Sequence, residues 1–563
     1  MIKKKLLFTL LGISGTAVVA GGIVAGFVLN SEQNRYRQYY TAPQSASTND
    51  LIQAYFAAVV NGSKLLYLAS YAHTTPITNA LCLTEQQNST FYDYLSRAGY
   101  LLIDDVYGFP LFLSNSDNFE QNGLIDTTKL QPFWSTNLAS AQFRSDLGSF
   151  ITGIAMAEFL NENRDYFGDN LSWSTYGGFP FPSVTSFMGG FQKGVDFFNK
   201  NILPKMSNYN YKEVTQKFIG TGENQNFAHS FDPNGGIDII ESFLSNKNSA
   251  PSIFIPVAGG QVQQAVRKVK QNNLKTIIIG VDSPVEDDDT INLPLPSLSN
   301  GEIVGNNKIV QFSSTKNINV IVDKITTKLN EGTIGKENDI AGLGWSSLGT
   351  LGNGGVGVSP AGQKYFIKAI QLLNNPQNPN NIVVDENNLE SEYLNALEDS
   401  LIKTYLSELD KPENKVFSTY DSSGQPVINF SYAAIPNDAQ QMIPISSGST
   451  PEDMTEIRNW YESLYTNDPI ILSKIDDNMK IIEDWRKTNW NAIQKRKSFT
   501  LKNELTKEAY EKNKGLIKLI FQDSFSVLLD HSFLQSCYEG LRAYWKSKGI
   551  ILPVAAGNSN SSR

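Results

Sequence analysis

Histidine and cysteine are almost absent from this chain of 563 residues. There are three of the former, His73, His229 and His531, and two of the latter, Cys82 and Cys537. Two distant cysteines make no disulfide framework and there is no CxxC pair. A histidine-based metal site would have to gather its ligands from remote segments, and HExxH, P-loop and GxSxG patterns are all missing from the body. Arginine is scarce, and the net charge of −9 with a pI near 5.2 leaves no basic face for phosphates, which argues against nucleic acid as a partner. We therefore expect no metal, no cofactor and no catalysis. Glu286-Asp287-Asp288-Asp289 lacks the alternating ligands and the glycine of an EF-hand, and reads as a solvated acidic loop. Gly352-x-Gly354-x-x-Gly357 matches a dinucleotide fingerprint in form only, because its flanking strand is poor and no acidic residue follows at the needed distance.

What the chain does have begins at its first residues. Lys3, Lys4 and Lys5 precede an uncharged run from Leu6 to Leu29, long enough to cross a bilayer as a helix and longer than a secretory h-region. The expectation is a signal anchor over residues 1–30 with the body on the extracellular side, a cleaved signal peptide being the alternative. Residues 31–49 are polar and read as a tether.

From residue 50 the pattern turns α/β. Apolar runs end in polar turns and alternate with helical stripes: Lys64 to Ser70, Tyr100 to Ile103, Trp173 to Gly178, Ile253 to Val257 and Thr276 to Val281 read as strands. Leu147, Phe150, Ile151, Ile154 and Ala157 share a helix face, and Pro182-Ser183 starts another helix. Such repeated units build parallel sheets covered by helices on both faces. Long helical patterns occupy roughly 451–498 and 503–547, with a loop or hairpin over 409–450. Open α/β sheets bind ligands beyond the carboxyl ends of their strands. There the chain places His73 and Thr74, Asp104 and Asp105, Gly259 and Gly260, and Asp282 and Ser283. The bland alternative for each of these is an ordinary turn residue.

Several segments, in order, resemble the basic membrane protein family of ABC-transporter binding proteins, the group that includes purine-nucleoside receptors. They are Asn61-Gly-Ser-Lys-Leu-Leu, Leu102-Ile-Asp-Asp-Val, Phe143-Arg-Ser-Asp-Leu-Gly-Ser-Phe-Ile-Thr-Gly, the stretch from Gly177 to Gly194, Pro256-Val-Ala-Gly-Gly, Ile279-Gly-Val-Asp-Ser, Ser314-Thr-Lys-Asn, Gly354-Gly-Val-Gly and Arg542 to Val554. The resemblance implies a two-lobed, type I periplasmic-binding-protein-like fold with parallel sheets. It places the body over 50–365, a mainly helical insertion over 366–534, a closing helix and strand over 535–555 and a disordered tail over 556–563. It implies a nucleoside or similar small polar ligand, an ABC-transporter permease as partner, and attachment to the membrane through the N-terminal helix. Carried over by position, Asp282 would hold ribose hydroxyls, Gly259 and Gly260 would line the ligand, Asp104 or Asp105 would serve the near lobe, and Lys316 would reach in from the far lobe. The family opens with a strand and an Asp-x-Ser-Phe-Asn type loop, and this opening element reads as missing here. Phe227 or Phe231 is the substitute expected for a second stacking aromatic. An interaction or assembly protein that keeps the receptor fold without its ligand is the rival expectation.

Overall fold

The computed structural model describes residues 36–78, 80–81, 94–104, 118–129, 138–169, 171–179, 182–206, 210–217, 227–296, 304–331, 345–377, 417–420, 426–430, 468–481, 484, 501, 503–522 and 533–554. The expected anchor lies outside the described residues. Among those that are described, no helix is long and apolar enough to cross a membrane.

Two six-stranded sheets organise the chain. The first contains β1 (Tyr40–Thr41), β2 (Leu65–Ala69), β3 (Gly99–Ile103) and β4 (Leu138–Phe143), with α1 (Thr48–Val60) between β1 and β2. After β4 the chain passes through α2 (Ser145–Glu162) into the second sheet. That sheet is built from β5 (Ser172–Gly177), β6 (Thr215–Gln216), β7 (Ile253–Val257), β8 (Ile277–Asp282) and β9 (Val310–Lys316), with helices α3 (Pro182–Phe197), α4 (Ile237–Leu244) and α5 (Val262–Gln271) interspersed. Helix α6 (Ile318–Glu331) returns the chain to the first sheet at β10 (Trp345–Gly349), and a tight turn sends it back to β11 (Val356–Val358) and α7 (Gln363–Asn374). An antiparallel hairpin, β12 (Phe417–Tyr420) with β13 (Pro426–Phe430), falls where a hairpin was expected.

The closing residues depart from expectation. A long helical pattern over 503–547 is replaced by β14 (Ile517–Ile520) followed by α8 (Phe533–Ser547). Leu516 to Phe521 is a short apolar run, which periodicity alone cannot divide between strand and buried helix. Packed on both faces, it becomes an inner parallel strand, hydrogen-bonded to β2 on one side and β1 on the other. The stretch 366–534 is therefore not only a helical insertion, since it supplies a strand of the first sheet. Residues 551–554 carry no strand, in contrast to the closing strand expected there.

Burial explains the layers. Leu66, Leu68, Tyr100, Leu102 and Ile520 share one core with Leu51 and Tyr55 of α1. Their alternates Leu65, Tyr67, Leu101, Ile103, Ile517 and Leu519 share the other core with α6 and α8. This two-residue alternation is the strand period. Gly540 of α8 lies close enough to Val322 of α6 that a Cβ would sit 3.0 Å from its Cγ1. In the second lobe α2 is buried from Ser145 to Asn161. A Cβ on Gly194 of α3 would fall 2.0 Å from the Phe150 carbonyl, so glycine there lets the two helices touch.

The first sheet runs β1-β14-β2-β3-β4-β10 and the second β6-β5-β7-β8-β9-β11. Counted along the chain, the second sheet has the doubly wound order 2-1-3-4-5 with β11 sixth. The first sheet has the same order only if β14, last in the sequence, is counted first. The first and last described segments meet where this requires it. Tyr36 donates its hydroxyl to the Val554 carbonyl at 2.7 Å, and its ring packs edge-on against Tyr538. Tyr39 and Tyr510 share a hydroxyl hydrogen bond of 2.9 Å, and Tyr40 stacks on Phe521.

Candidate ligand cleft between two matched sheets

Three chain segments cross between the lobes and are laced together. Arg144, after β4, donates its backbone N–H to the carbonyl of Gly349, which ends β10. Asn317, after β9, donates its backbone N–H to Gly355 at 2.8 Å and its side-chain amide to Gly354 at 2.9 Å. A Cβ on Gly355 would lie 2.2 Å from the Gly349 Cα, so the crossing from β10 to β11 closes on itself through bare backbone. Beside them Arg144 grips Asp146 with Nε and Nη2, the shortest contact being 2.6 Å, and both side chains are buried.

Adjacent to this hinge sits Lys316, the last residue of β9. Its Nζ lies 2.7 Å from Asp104 of the first lobe and 3.3 Å from Asp282 of the second, and it also donates to the Ser183 carbonyl at 3.0 Å. The ammonium stands 4.9 Å from the centre of the Phe187 ring. Burial by itself pulls the Lys316 pKa down, but the Asp104 and Asp282 carboxylates outweigh it and hold the group above the ordinary lysine value.

The two aspartates are counterparts. Asp104 follows β3, the fourth strand of the first sheet in the order above, and Asp282 ends β8, the fourth strand of the second. Both adopt the left-handed backbone region, with φ of 67° and 68°. Aspartate tolerates that region better than most residues, and the sharp turn it makes ends each strand at the cleft.

Of the other residues expected here, Asp105 lies outside the described residues. Gly259 has φ of 57° and opens the turn from β7 into α5, and Gly260 is buried against Pro233. Phe227 is buried and pairs with Gly177 at the end of β5, its ring close enough that a Cβ on Gly177 would sit 2.9 Å away. The half-buried rings at that strand end are Phe179 and Phe231, 5.3 Å apart between centres, with Phe231 filling the space beside Gly178.

Two polar readings change. His73 is a core residue: it is fully buried, its Nδ1 lies 2.8 Å from the Tyr55 hydroxyl, and burial pushes its pKa down to about 3. The acidic loop is only half solvated. Glu286 and Asp288 are buried, and Glu286 accepts a 2.7 Å hydrogen bond from Ser313 while burial raises its pKa. The period-2 exposure of this tetrad, with Asp287 and Asp289 outside, is a signal composition alone does not carry.

A family model described as ABC transporter substrate-binding protein, PnrA-like, matches residues 116–414, just over half of the chain. The chain belongs to this family. Among its relatives are an uncharacterised lipoprotein of Mycoplasma genitalium, 29% identical over 49% of this chain and 51% of that protein, and its Mycoplasma pneumoniae homologue, 32% identical over 43% and 44% respectively. The chain spans about half the length of the curated relatives it matches. Solved structures similar to it include an ABC-transporter solute-binding protein from Aeropyrum pernix, with 17% identity, coverage of 63% of this chain and 75% of that one, and a TM-score of 0.36. Another is a solute-binding protein from Conexibacter woesei, with 10% identity, coverage of 69% and 86%, and a TM-score of 0.33.

For this member of the family, the opening strand that reads as missing at the N-terminus has its counterpart in β14, with α8 as the following helix. A sequence signal for it exists: the apolar run Ile517 to Phe521 is followed by Asp530-His531-Ser532-Phe533-Leu534, which matches an Asp-x-Ser-Phe-Asn loop except for Leu534 in the asparagine's place. Residues 523–532 lie outside the described residues.

Proposed function

We propose that this chain is an extracytoplasmic receptor that closes its two lobes over a nucleoside and passes it to an ABC-transporter permease. The observation that carries the reading is the Asp104–Lys316–Asp282 cluster, which joins matched strand ends of the two lobes beside the hinge. In a doubly wound sheet this is the ligand-binding end. Asp282 and Asp104 (with Asp105) accept hydrogen bonds from ribose hydroxyls, and Lys316 donates from the second lobe. Gly259 and Gly260 let backbone approach the ligand. Phe179 and Phe231 supply the ring face for the base, with Phe227 beside Gly177 at the same strand end; each stacked ring adds about 1–3 kcal/mol. The relatives' description as lipoproteins supports a body held at the outer face of the membrane.

Calorimetric titration of the purified chain with nucleosides, free bases and sugars tests this. Micromolar or tighter binding of one nucleoside, lost in Asp282→Asn, is the expected outcome. A folded protein that gives no heat with any of them ends the nucleoside reading. The rival, a receptor fold turned to assembly, draws on one observation: Lys316 and Asp104 already join the lobes with the chain's own charges. It requires that the lobes stay joined whatever is added, so scattering that shows no change in lobe separation with any ligand favours it.

A further inference from the structure

The first lobe takes hold of the chain very soon after the uncharged run from Leu6 to Leu29. Residues 36–41, read from sequence as part of a tether, are docked into that lobe. Tyr36 and Tyr39 are 2% and 3% exposed, and β1 adds Tyr40 and Thr41 to the sheet edge beside β14. The Tyr39 carbonyl accepts from the Leu519 backbone N–H at 2.8 Å. Only residues 30–35 separate the uncharged run from the first of these packed tyrosines. The Cα steps from Leu29 to Tyr36 span at most roughly 25 Å at full stretch. With residues 6–29 across a bilayer, its outer surface lies within that distance of Tyr36.

An exposed apolar edge lies at the same place. Residues 550–554 pass over α8, where Tyr538 donates its hydroxyl to the Pro553 carbonyl at 3.0 Å and Tyr36 donates to the Val554 carbonyl at 2.7 Å. Ile550 and Leu552 are buried, whereas Ile551 is 88% and Val554 44% exposed. Ile551 is the most exposed large hydrophobic side chain among the described residues. Single exposed apolar residues are ordinary on any surface. Here two fall within one short segment, and one is bonded through its carbonyl to the first packed residue after the uncharged run. Arg37, next to Tyr36, and Lys546, at the end of α8, are exposed, while Glu539 is neutralised by Arg542. In the first sheet β1 is one outermost strand, and β10, whose end forms part of the hinge, is the other. Five inter-strand spacings, roughly 24 Å, separate them. The apolar edge therefore lies on the side of the lobe away from the hinge, where the cleft opens.

We propose that Ile551 and Val554, flanked by Arg37 and Lys546, seat the first lobe in the interface of an anionic phospholipid surface. Apolar side chains enter the boundary between headgroups and acyl chains, and the cations meet the lipid phosphates. This seat fixes an orientation. The edge opposite the hinge faces the membrane, the first lobe is stationary, and the second lobe is the one that moves. The docking rests on anchoring through residues 6–29 and holds whichever ligand the cleft takes.

The test reconstitutes the full chain in vesicles of phosphatidylcholine and phosphatidylglycerol, in a Cys82→Ser background because Cys537 is buried. An environment-sensitive fluorophore is attached at Ile551→Cys or, for comparison, at Ile237→Cys on α4 of the second lobe, where the native side chain is 44% exposed. Quenching by spin-labelled lipids should place the probe at 551 about 5–10 Å into the headgroup and acyl boundary, and leave the probe at 237 in water. Hydrogen exchange on the vesicles is then compared between wild type and the double variant Ile551→Asp, Val554→Asp. The variant should melt with wild type, since both side chains are exposed, yet lose the slowing that the vesicles give residues 36–41 and 550–554. A probe at 551 quenched no more than one at 237, on vesicles that carry the chain, overturns the docking and leaves the anchor standing. Unchanged protection in the double variant overturns it as well. Equal quenching on vesicles without phosphatidylglycerol overturns the part given to Arg37 and Lys546. A chain that does not float with the vesicles overturns anchor and docking together.

Discussion

The first lobe and the second lobe share one strand order and reach it by different routes. In the second, strand 1 of the order is β5, and it comes first in the chain. In the first, strand 1 is β14, delivered more than 450 residues after β2, the strand beside it. The second lobe is continuous apart from short excursions, whereas the first is sealed by contacts of residues 36–40 with residues 510–554. Topology of the sheet is thus independent of where the chain is cut, provided the ends lie close enough to meet. That proximity is common in compact domains and is what makes permutation tolerable.

The largest effect should come from breaking that seal. Removing residues 501–563 takes an inner strand and its covering helix from the first sheet, and should abolish cooperative folding of that lobe. Hydrogen exchange should then show α1 and β2 unprotected while β7 and β8 remain protected. The converse construction sharpens the comparison: residues 501–554 joined by a short linker ahead of residue 36 give both lobes the same chain order. That protein should fold with a melting temperature within a few degrees of the original.

Next in size is the charge cluster that the two lobes share. Lys316→Met leaves two carboxylates facing each other without their cation and should destabilise the protein by about 3–5 kcal/mol in denaturant melts. Asp104→Asn breaks the contact between lobes, and Asp282→Asn breaks only a contact within the second. Small-angle scattering should therefore show a larger radius of gyration for Asp104→Asn and not for Asp282→Asn.

Acid should separate the lobes through His73, which belongs to the first lobe alone. Its folded pKa of about 3 lies below the ordinary 6.5. Its contribution is therefore fully present above pH 6.5 and is lost as pH falls from there toward 3. Between pH 7 and pH 4.5 the first lobe should lose on the order of 2–3 kcal/mol from this residue, and His73→Phe should flatten that part of the profile. Stability measured against pH on both proteins checks it.

The smallest effect expected is at the crossing. Gly355→Ala places a methyl against the Gly349 backbone and should cost about 1–3 kcal/mol. At Gly354 no atom lies within 4 Å of the added Cβ, so Gly354→Ala should cost only the strain of its φ of 75°, about 1 kcal/mol. Paired melts of the two variants distinguish packing at the hinge from backbone strain.

Much of the second lobe was legible because its signals are local. The run Ile253 to Val257, the turn Gly259-Gly260 and the stripe Val262, Ala265, Val266 and Val269 follow one another directly, and the strand, turn and buried helix face match them. Asp282 and Lys316 could be named from strand ends and family resemblance. Their joint contact with Asp104 depends on three segments brought together by folding, and no spacing in the chain encodes it. Phe227 is an aromatic near the right strand by sequence, but that Phe227 packs on Gly177 while Phe231 packs on Gly178 is set by the fold. His73 illustrates the opposite error: polarity suggested the cleft, while the Tyr55 hydroxyl gave it a partner inside the core.

The amino-acid sequence by itself determined the alternation of buried strands and amphipathic helices, and with it sheets of mainly parallel strands, because periodicity and turn chemistry act within a few residues. It also excluded basic, disulfide-stapled and histidine-metal classes of function, since those need residues the chain does not have in number. Only the tertiary structure decided which strand stands beside which. Strand pairing is a long-range contact whose stabilisation comes from burial on both faces, so Ile517 to Ile520 could belong to the first sheet only once α1, α6 and α8 were in place to cover it.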